Sequence, residues 1–249
     1  MSETWGITYR IGSSRVCPVC DFTGRKFKPA GTPPRPESMC PKCGARERHR
    51  LLSTYIDNET TIPQGDNKIL YFAPREPIEE RLRRMGNVVV TTDLSQNGVN
   101  VYADITKLPF DTEAFDVIIC SHVLEHVPED SLAMKELNRV LKTDGYALIL
   151  IPKDKSREKT YEDESITSPQ ERAKEFGQYD HVRVYGRDVV QRFETAGFNV
   201  AVETYAENFT EESITKHGLQ SLNPDLEKTK YEDIHHCRPT RAEQSNEDF

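Results

Sequence analysis

The sequence predicts an α/β protein, with a Rossmann-like seven-stranded sheet, helices on both of its faces, and a small N-terminal module. Two observations support this prediction. From about residue 66 onward, short apolar runs rich in β-branched residues alternate with stretches of helical periodicity, the pattern of βαβ units. Before residue 50, two Cys-x2-Cys pairs stand in a segment too short to bury a large apolar core.

The predicted elements alternate along the chain. A helix is expected from Arg46 to Asn58. Strands are expected at Lys68–Ala73, Val88–Asp93, Val99–Ile105, Phe115–Cys120, Tyr146–Ile151, Phe198–Tyr205 and Tyr231–Cys237. Helices are expected where apolar residues recur on one face, around Ile78–Met85, Ala133–Leu141 and Val189–Ala196, with Gly145 and Gly197 as stop signals.

Charge divides the chain into two parts. The chain holds 33 Lys and Arg against 41 Asp and Glu, a formal net charge of -8. Residues 1–50 hold ten basic and four acidic residues, a net charge of +6, which leaves -14 for residues 51–249. The basic end either meets an anionic partner or only offsets the acidic remainder. We predict a metal-binding module at 1–50, a main domain at 51–239 with an insertion at about 153–186, and a disordered tail at 240–249.

Several classes of protein are disfavoured. The first twelve residues lack the apolar region of a signal peptide. The longest apolar stretch, Ala147–Pro152, is far shorter than the ~20 residues of a membrane helix. Six cysteines in 249 residues are too few for a disulfide scaffold. We therefore expect a reducing, cytoplasmic setting and no membrane insertion.

The four N-terminal cysteines have the spacing of a zinc ribbon. Cys17 and Cys20 form one pair, Cys40 and Cys43 form the other, and 19 residues separate the pairs. Four thiolates suit the tetrahedral coordination of Zn²⁺, and a site closed by four protein ligands is typical of a structural metal. Bound zinc is expected to supply much of the folding free energy of this module. The alternative is a redox-active or unpaired set of cysteines.

Candidate ligand-binding residues stand where the predicted strands end. In an open parallel sheet, ligands bind at the carboxyl ends of the strands, near the point where strand order reverses. The second strand ends at Asp93, whose carboxylate can accept hydrogen bonds from two ribose hydroxyls. The third ends at Asp104 and Ile105, an acid and an apolar residue that suit an adenine. The alternative is that both acids are ordinary strand-end residues. The first and fourth strands end in Phe72-Ala73-Pro74 and Cys120-Ser121-His122.

Linked motifs extend this pattern. They are Asp93-Leu94-Ser95, Asp104-Ile-Thr-Lys-Leu-Pro-Phe110, Ala114-Phe-Asp-Val-Ile-Ile-Cys-Ser-His-Val-Leu-Glu-His-Val127, and Glu136-Leu-Asn-Arg-Val-Leu-Lys142 with Gly145. Over about residues 66–205 they resemble a class I S-adenosylmethionine-dependent methyltransferase, most closely the type-11 methyltransferase domain. The resemblance implies an antiparallel last strand and S-adenosylmethionine as cofactor. It implies cofactor contacts at Asp93, Leu94, Asp104, Ile105, Cys120, Ser121 and His122.

The first motif departs from that family. Members carry a glycine-rich turn after the first strand, whereas this chain reads Phe72-Ala-Pro-Arg-Glu-Pro77. Glycine lets the backbone approach a ligand closely, which alanine and proline do not allow in the same way. We expect a modified turn in which Phe72, Ala73 and Pro74 contact the cofactor and Arg75 or Glu76 meets its methionine part. Loss of cofactor binding is the alternative.

Histidines are the candidate bases for methyl transfer. The cofactor carries an activated methyl group, so the enzyme chiefly aligns the acceptor, and an acceptor hydroxyl also needs a base. His122 lies nearest the expected cofactor, and His181 lies after the fifth strand, where the family builds its acceptor pocket. His126 is interpreted as a packing or capping residue. The same connection holds three further candidate substrate residues, Tyr161, Arg183 and Tyr185. An arginine there suits a carboxylate or phosphate, and a self-satisfied surface loop is the alternative.

Three functions follow from these patterns. The first, which we favour, is methyl transfer to a small-molecule or glycan acceptor such as an anionic sugar, because the net charge of -8 disfavours a surface that coats nucleic acid. The second is RNA methylation, with the basic zinc ribbon gripping RNA. The third is a non-catalytic binding protein that keeps the fold, which the missing glycine turn favours.

Overall fold

A seven-stranded sheet forms the centre of the protein, which a computed structural model describes at residue 9 and residues 11–31, 34–94, 97–220 and 232–240. The predicted tail lies outside these ranges apart from residue 240. The strands are β1 (Arg15–Val16), β2 (Thr23–Gly24), β3 (Lys28–Ala30), β4 (Arg35–Met39), β5 (Lys68–Phe72), β6 (Val88–Asp93), β7 (Val101–Tyr102), β8 (Phe115–Ser121), β9 (Leu141–Leu150), β10 (Tyr161–Glu162), β11 (Arg183–Val184), β12 (Phe198–Glu203) and β13 (Ile234–Pro239). The α-helices are α1 (Glu47–Glu59), α2 (Glu76–Arg84), α3 (Asp130–Val140), α4 (Pro169–Glu175), α5 (Val189–Thr195) and α6 (Glu211–His217).

The strand order confirms the predicted fold class. The sheet runs β12-β13-β9-β8-β5-β6-β7. The pairs from β9 through β7 are parallel, whereas β13 is antiparallel to both β9 and β12. Strand order reverses between β5 and β8, the first strand of the sheet and its neighbour on the other side. This is the place where an open parallel sheet binds ligands.

Several predicted element boundaries are wrong. The strand predicted at Val99–Ile105 is Val101–Tyr102, so Asp104 and Ile105 follow the strand and do not end it, and the strand predicted at Phe198–Tyr205 ends at Glu203. Helix α3 ends at Val140 and β9 begins at Leu141, so Gly145 lies inside a strand and does not stop the helix. The pairing of β9 with β8 is irregular here, because the partner of Leu141 is Phe115 and the partner of Tyr146 is Val117. A Cβ atom on Gly145 would lie 2.6 Å from the carbonyl oxygen of Asp116. Glycine is therefore needed where the two strands approach each other.

The N-terminal module shares its apolar core with the main sheet. One continuous cluster joins Phe22 and Phe27 of the module, Leu51 of α1, and Ile69 and Leu148 of the sheet. The predicted boundary at residue 50 therefore falls inside a helix that packs on both sides. No helix in the described part of the chain is long and apolar enough to cross a membrane.

Arg50 ties the module to a distant part of the chain. Its guanidinium is fully buried, lies 4.2 Å above the Phe27 ring, and donates hydrogen bonds to the carbonyl oxygens of Ser38, Ala45 and Gly218 at 3.2, 2.6 and 2.8 Å. A buried guanidinium is tolerated when its donors are satisfied in this way. One of the module's basic residues therefore serves the fold and leaves no charge for a partner.

Candidate cofactor and metal sites

The four predicted metal ligands come together, as the sequence indicated. The sulfur of Cys17 lies 3.8 Å from that of Cys43, and the sulfur of Cys20 lies 3.8 Å from that of Cys40. Sulfurs bound to Zn²⁺ at about 2.3 Å in a tetrahedron stand about 3.8 Å apart. All four cysteines are free of disulfides, and their sulfurs lie within 4.8 Å of one another. The set therefore fits a tetrahedral metal ion.

Each cysteine pair closes in the same kind of turn. The amide of Asp21 donates to the carbonyl oxygen of Cys17 at 2.9 Å, and the amide of Gly44 donates to that of Cys40 at 3.0 Å. Both residues after the pairs have positive φ, +56° for Asp21 and +72° for Gly44. Aspartate and glycine adopt this conformation at low cost, which explains their place in the sequence.

The glycine-free turn after β5 has the backbone that glycine would supply. Ala73 has a φ of +45°, and its amide donates to the carbonyl oxygen of Thr92 at 3.1 Å. His122, after the neighbouring strand β8, also has positive φ, and its amide donates to Leu150 at 2.9 Å. Left-handed backbone costs a residue with a Cβ about 1–2 kcal/mol. Two residues with left-handed backbone therefore stand at adjacent strand ends, where strand order reverses. Backbone strain of this kind clusters at ligand sites.

The two predicted cofactor acids lie on the same edge of the sheet. Asp93 ends β6, and its carbonyl oxygen accepts a hydrogen bond from the amide of Ala103 at 3.2 Å. Asp104 accepts hydrogen bonds from the amide and the hydroxyl of Thr106, both at 2.8 Å, and these bonds lower its pKa. Leu94 is 72 % exposed, an apolar surface beside Asp93. An ionised acid and an apolar surface are thus available for a nucleoside.

The last residues of β8, Cys120 and Ser121, differ in what they offer a ligand. Cys120 is buried in the core, and burial raises the pKa of its thiol, so its backbone is the part that can reach a ligand. Ser121 next to it has a buried hydroxyl without a hydrogen-bond partner in the described ranges, and Thr92 on β6 has another. Buried unpaired hydroxyls at a strand edge are groups that a bound ligand can satisfy.

His122 joins two carboxylates. Its Nε2 lies 2.5 Å from Glu232 and its Nδ1 lies 3.2 Å from Glu125. Burial lowers the pKa of His122, but the charge of Glu232 and the hydrogen bonds with both acids outweigh it and raise the pKa to about 9. The imidazole is therefore protonated at neutral pH. A protonated ring cannot accept a proton, so this arrangement disfavours the predicted role of His122 as a base.

Arg183 and Tyr185 do not face a substrate pocket. Both are buried, and the Arg183 guanidinium donates to the carbonyl oxygens of Leu124 and Pro128, at 3.1 and 2.7 Å, and to Glu162 at 2.8 Å. The Tyr185 hydroxyl donates to the carboxylate of Asp130 at 2.8 Å and lies 3.3 Å from the carbonyl oxygen of Leu124. The prediction that Arg183 binds an anionic substrate is therefore wrong, because its donors are used within the protein. Both side chains instead hold the loop that follows β8.

Tyr161 and His181, the other two predicted substrate residues, lie in different surroundings. Tyr161 lies on β10, paired with Val184 of β11, and its ring packs against Phe176 at 5.6 Å. His181 is buried, and its ring meets that of His126 at 4.7 Å. Burial lowers the pKa of His181, so the ring is neutral at pH 7. His181, like Arg183 and Tyr185, therefore lies beside the residues that follow β8.

A cationic cavity was missed by the sequence reading. A cavity of about 450 Å³ lies between the module and the turn after β5, with Arg46 and His49 on one side and Pro74 and Arg75 on the other. Burial and the charges of Arg48, Arg75 and His122 lower the pKa of His49 to about 2, so His49 is neutral. The feature of the sequence that could have indicated this cavity is the net charge of +6 in the first 50 residues.

Comparison with known families finds a match over part of the chain. Residues 78–149 match the sequence profile of a family described as a methyltransferase domain. The demethylmenaquinone methyltransferase of Staphylococcus carnosus (strain TM300) is 35 % identical over 72 residues, which are 29 % of this chain and 26 % of that protein. The matched segment thus spans about a quarter of the length of this curated relative. The family profile runs from within α2 to within β9 and ends before residues 153–186.

Solved structures share the fold over most of the chain. The [4+2]-cyclase SpnF has a TM-score of 0.51 at 18 % identity, covering 77 % of this chain and 82 % of that chain. A Listeria monocytogenes protein assigned as a S-adenosylmethionine-dependent methyltransferase has a TM-score of 0.50 at 15 % identity, covering 78 % and 97 %. At such identities the likeness concerns the fold alone. The profile match at residues 78–149 and the fold are thus each similar to those of methyltransferases.

Proposed function

We propose that this protein binds S-adenosylmethionine and transfers its methyl group to a small anionic acceptor. The observation that carries the proposal is the left-handed turn at Ala73, which stands between the ends of β6 and β8. The turn keeps the backbone path of a glycine turn although the sequence has no glycine there. The matched family segment, which runs from within α2 to within β9, supports the same assignment.

The residues at the strand ends fit the parts of this cofactor. Asp93 ends β6 and offers a carboxylate to the ribose hydroxyls, while Asp104 and Ile105 frame the adenine. Leu94 supplies an exposed apolar surface on the same side. The unpaired hydroxyl of Ser121 offers a hydrogen bond near the turn. An acid, an apolar contact and an open hydroxyl are the donor and acceptor types that a nucleoside requires.

The cationic cavity receives an anionic group. Arg46 and Arg75 line it from opposite sides, and Arg48 has a buried Nε with no hydrogen-bond partner in the part of the chain described. A guanidinium binds a carboxylate or phosphate through two parallel hydrogen bonds. Two occupants have this chemistry, the carboxylate of the cofactor's methionine part and an anionic group on the acceptor. With either occupant, the zinc module forms part of the ligand-binding site.

A zinc ion in the cysteine site stabilises that wall of the cavity. The cavity lining includes Cys43, Gly44 and Ala45, which belong to the second cysteine pair and its turn. Four thiolates leave no open position on the metal, so the ion is structural. The arginines of the module therefore depend on the metal for their position.

The chain's own residues chiefly position the reactants. The cofactor, when bound, supplies an activated methyl group on a sulfonium. The protonated His122 with the carboxylates of Glu125 and Glu232 forms a group of net charge -1, which attracts a cationic sulfur. Because His122 already carries its proton, acceptors that are anionic at neutral pH need no base from it.

The demethylmenaquinone methyltransferases do not identify the acceptor. The match to the Staphylococcus carnosus protein covers 29 % of this chain, and the family profile ends at residue 149. The insertion at 153–186, which packs on the loop after β8, lies outside the profile. We therefore propose the cofactor from the family match and infer the class of acceptor from the cavity. The positive charge of the cavity favours a sugar acid, carboxylate or phosphate.

Substitutions in the cavity test this proposal and separate its two occupants. Arg75→Gln is compared with Arg84→Gln, an exposed position on α2 outside the cavity. Calorimetry measures S-adenosylmethionine affinity, and transfer of radiolabelled methyl is followed with a panel of sugar acids, phosphates and RNA. Weaker cofactor binding in Arg75→Gln assigns the cavity to methionine, and a raised KM for one anionic acceptor assigns it to the acceptor. Equal behaviour of the two variants contradicts the cavity assignment, and salt-sensitive methylation of RNA alone contradicts the small acceptor.

A further inference from the structure

We propose that Glu125, His126 and His181 form a second metal site, for a divalent transition-metal ion, beside the end of β8. One ligand atom from each residue lies within 4.8 Å of the others. Glu125 and His126 belong to the short helical turn Leu124–His126 after β8, and His181 comes from the segment before β11. The three are brought together from distant parts of the chain and are separate from the cysteine site.

Both imidazoles are oriented as metal ligands are. The Nδ1 of His126 lies 3.3 Å from the carbonyl oxygen of Asp180, and the Nδ1 of His181 lies 3.2 Å from that of Phe176. A histidine that binds a metal commonly donates its other ring N–H to such an oxygen, which leaves the second nitrogen for the metal. The two rings meet at 85° with centroids 4.7 Å apart. Each Nε2 is therefore left for a ligand.

The carboxylate of Glu125 has an oxygen without a partner. Glu125 is fully buried, and the Nδ1 of His122 lies 3.2 Å from one of its oxygens. The other oxygen has no hydrogen-bond partner in the described part of the chain. A buried carboxylate is costly unless it is paired on its acceptor sites, and an unsatisfied one calls for an ion or water. A metal ion between Glu125 and the two histidines meets that need.

The donor set defines the class of metal. Two imidazoles and one carboxylate suit Zn²⁺, Fe²⁺ or Co²⁺, whereas Mg²⁺ and Ca²⁺ prefer oxygen ligands. Three protein ligands leave open positions, as in catalytic metal sites, whereas four thiolates leave none. The predicted second site is therefore open to an exogenous ligand.

The surrounding residues hold this site rigid. Arg183 donates to the carbonyl oxygen of Leu124 at 3.1 Å, and Tyr185 donates to the carboxylate of Asp130 at 2.8 Å. The amide of Val182 donates to the carbonyl oxygen of Glu125 at 2.9 Å, which links the two halves of the site directly. Metal sites need ligands whose positions are fixed by neighbouring packing and hydrogen bonds. Two buried residues with no route to substrate thus gain a role as positioning residues.

The use of this metal rests on the proposed function. The site adjoins His122 at the end of β8, the edge where the cofactor is placed. Glu125, His126 and His181 would hold a metal with open positions, which would offer an acceptor oxygen a Lewis acid.

The metal content of the purified protein tests the site without reference to activity. The full chain is dialysed against Zn²⁺ or Co²⁺, and the metal per chain is measured by mass spectrometry. Wild type is expected to bind two ions per chain. Glu125→Gln, which keeps the side-chain volume, and His181→Ala are each expected to bind one, while His217→Ala, outside both clusters, keeps two.

The cobalt spectrum separates the two sites. Cobalt in the cysteine site gives thiolate-to-metal charge-transfer bands, which Glu125→Gln should retain at full strength and which also report that the module is folded. The second ion should add weaker bands without thiolate character, and Glu125→Gln should lose them. One ion per chain in wild type, or two ions in both variants, overturns the second site. Because metal count does not depend on S-adenosylmethionine, failure of cofactor binding leaves this result unaffected.

Discussion

Replacing Ala73 with glycine should stabilise the protein. Ala73 has a φ of +45°, a left-handed conformation that costs a residue with a Cβ about 1–2 kcal/mol. Glycine removes that cost but gives the unfolded chain more freedom, which lowers stability by about 0.5–1 kcal/mol. The net expected gain is about 0.5–1 kcal/mol. For a chain of this size, that corresponds to a rise in Tm of about 1–4 °C.

The assay is thermal and urea unfolding of the zinc-loaded protein without cofactor. Ala114→Gly is the matched control, because Ala114 is also half-buried before a sheet strand but lacks positive φ. The control should lose about 0.5–1 kcal/mol, because it gains unfolded-state entropy without relief of strain. Ala73→Val should destabilise further than the control, since β-branched residues tolerate left-handed backbone poorly. A loss in Ala73→Gly equal to that of the control would refute the left-handed turn.

Three further predictions concern a buried charge, a titrating pair and the module's metal. Arg50→Met should lower the free energy of unfolding by about 3–5 kcal/mol in urea, because it leaves several buried carbonyl oxygens unpaired. Arg50→Lys should recover part of the loss. A loss under about 1 kcal/mol in Arg50→Met would contradict this role of Arg50. The pKa of His122 is raised to about 9 from an unfolded value near 6.5, so its contribution to stability is complete below about pH 6.5 and disappears as pH rises through about 9. Stability should thus fall between pH 7 and 10 more steeply in wild type than in His122→Gln, and parallel curves would show that the pair with Glu232 is not formed. In Glu125→Gln, which lacks the proposed second site, chelation should release the Zn²⁺ of the cysteine site and lower the Tm, and an unchanged Tm after full release would show that the metal does not stabilise the module.

Residues whose chemistry depends on local spacing could be predicted from sequence. The cysteine pairs come together because each pair forms its own short turn, and only their mutual approach depends on the fold. Asp93 could be placed because a β-branched run ending in an acid marks a strand end, and all carboxyl ends of parallel strands share one edge. These predictions needed a period and a spacing, which a sequence shows directly.

Residues whose role depends on packing could not be predicted. Alternation put His181, Arg183 and Tyr185 on one side of a segment, but it does not tell whether that side meets solvent or another loop. The structure buries Arg183 and Tyr185 against the loop after β8, where carbonyl oxygens and the carboxylates of Asp130 and Glu162 accept their hydrogen bonds. The sequence analysis interpreted His126 as a packing residue and did not single out Glu125. The third member of their cluster, His181, lies 55 residues further along the chain, so the sequence alone does not show that the three come together.

The missing glycine shows a different limit. Sequence rules assign left-handed turns to glycine, so the Phe72-Ala73-Pro74 run argued for a changed backbone path. The structure keeps the path because the amide of Ala73 bonds to β6 beside it, at Thr92, and neighbouring strands then impose the conformation. Tertiary hydrogen bonds overrule a local preference of about 1–2 kcal/mol.

Calorimetric titration with S-adenosylmethionine and its demethylated product tests the central claim most directly. The zinc-loaded protein should bind both with micromolar affinity, and Asp93→Ala should weaken binding by about 1.5–3 kcal/mol, or about 10- to 100-fold, by removing charged hydrogen bonds to the ribose. Absence of binding at millimolar cofactor by protein shown to be folded, or equal affinity in Asp93→Ala, would contradict the claim. The first result would instead favour a non-catalytic protein that keeps this fold for binding a partner.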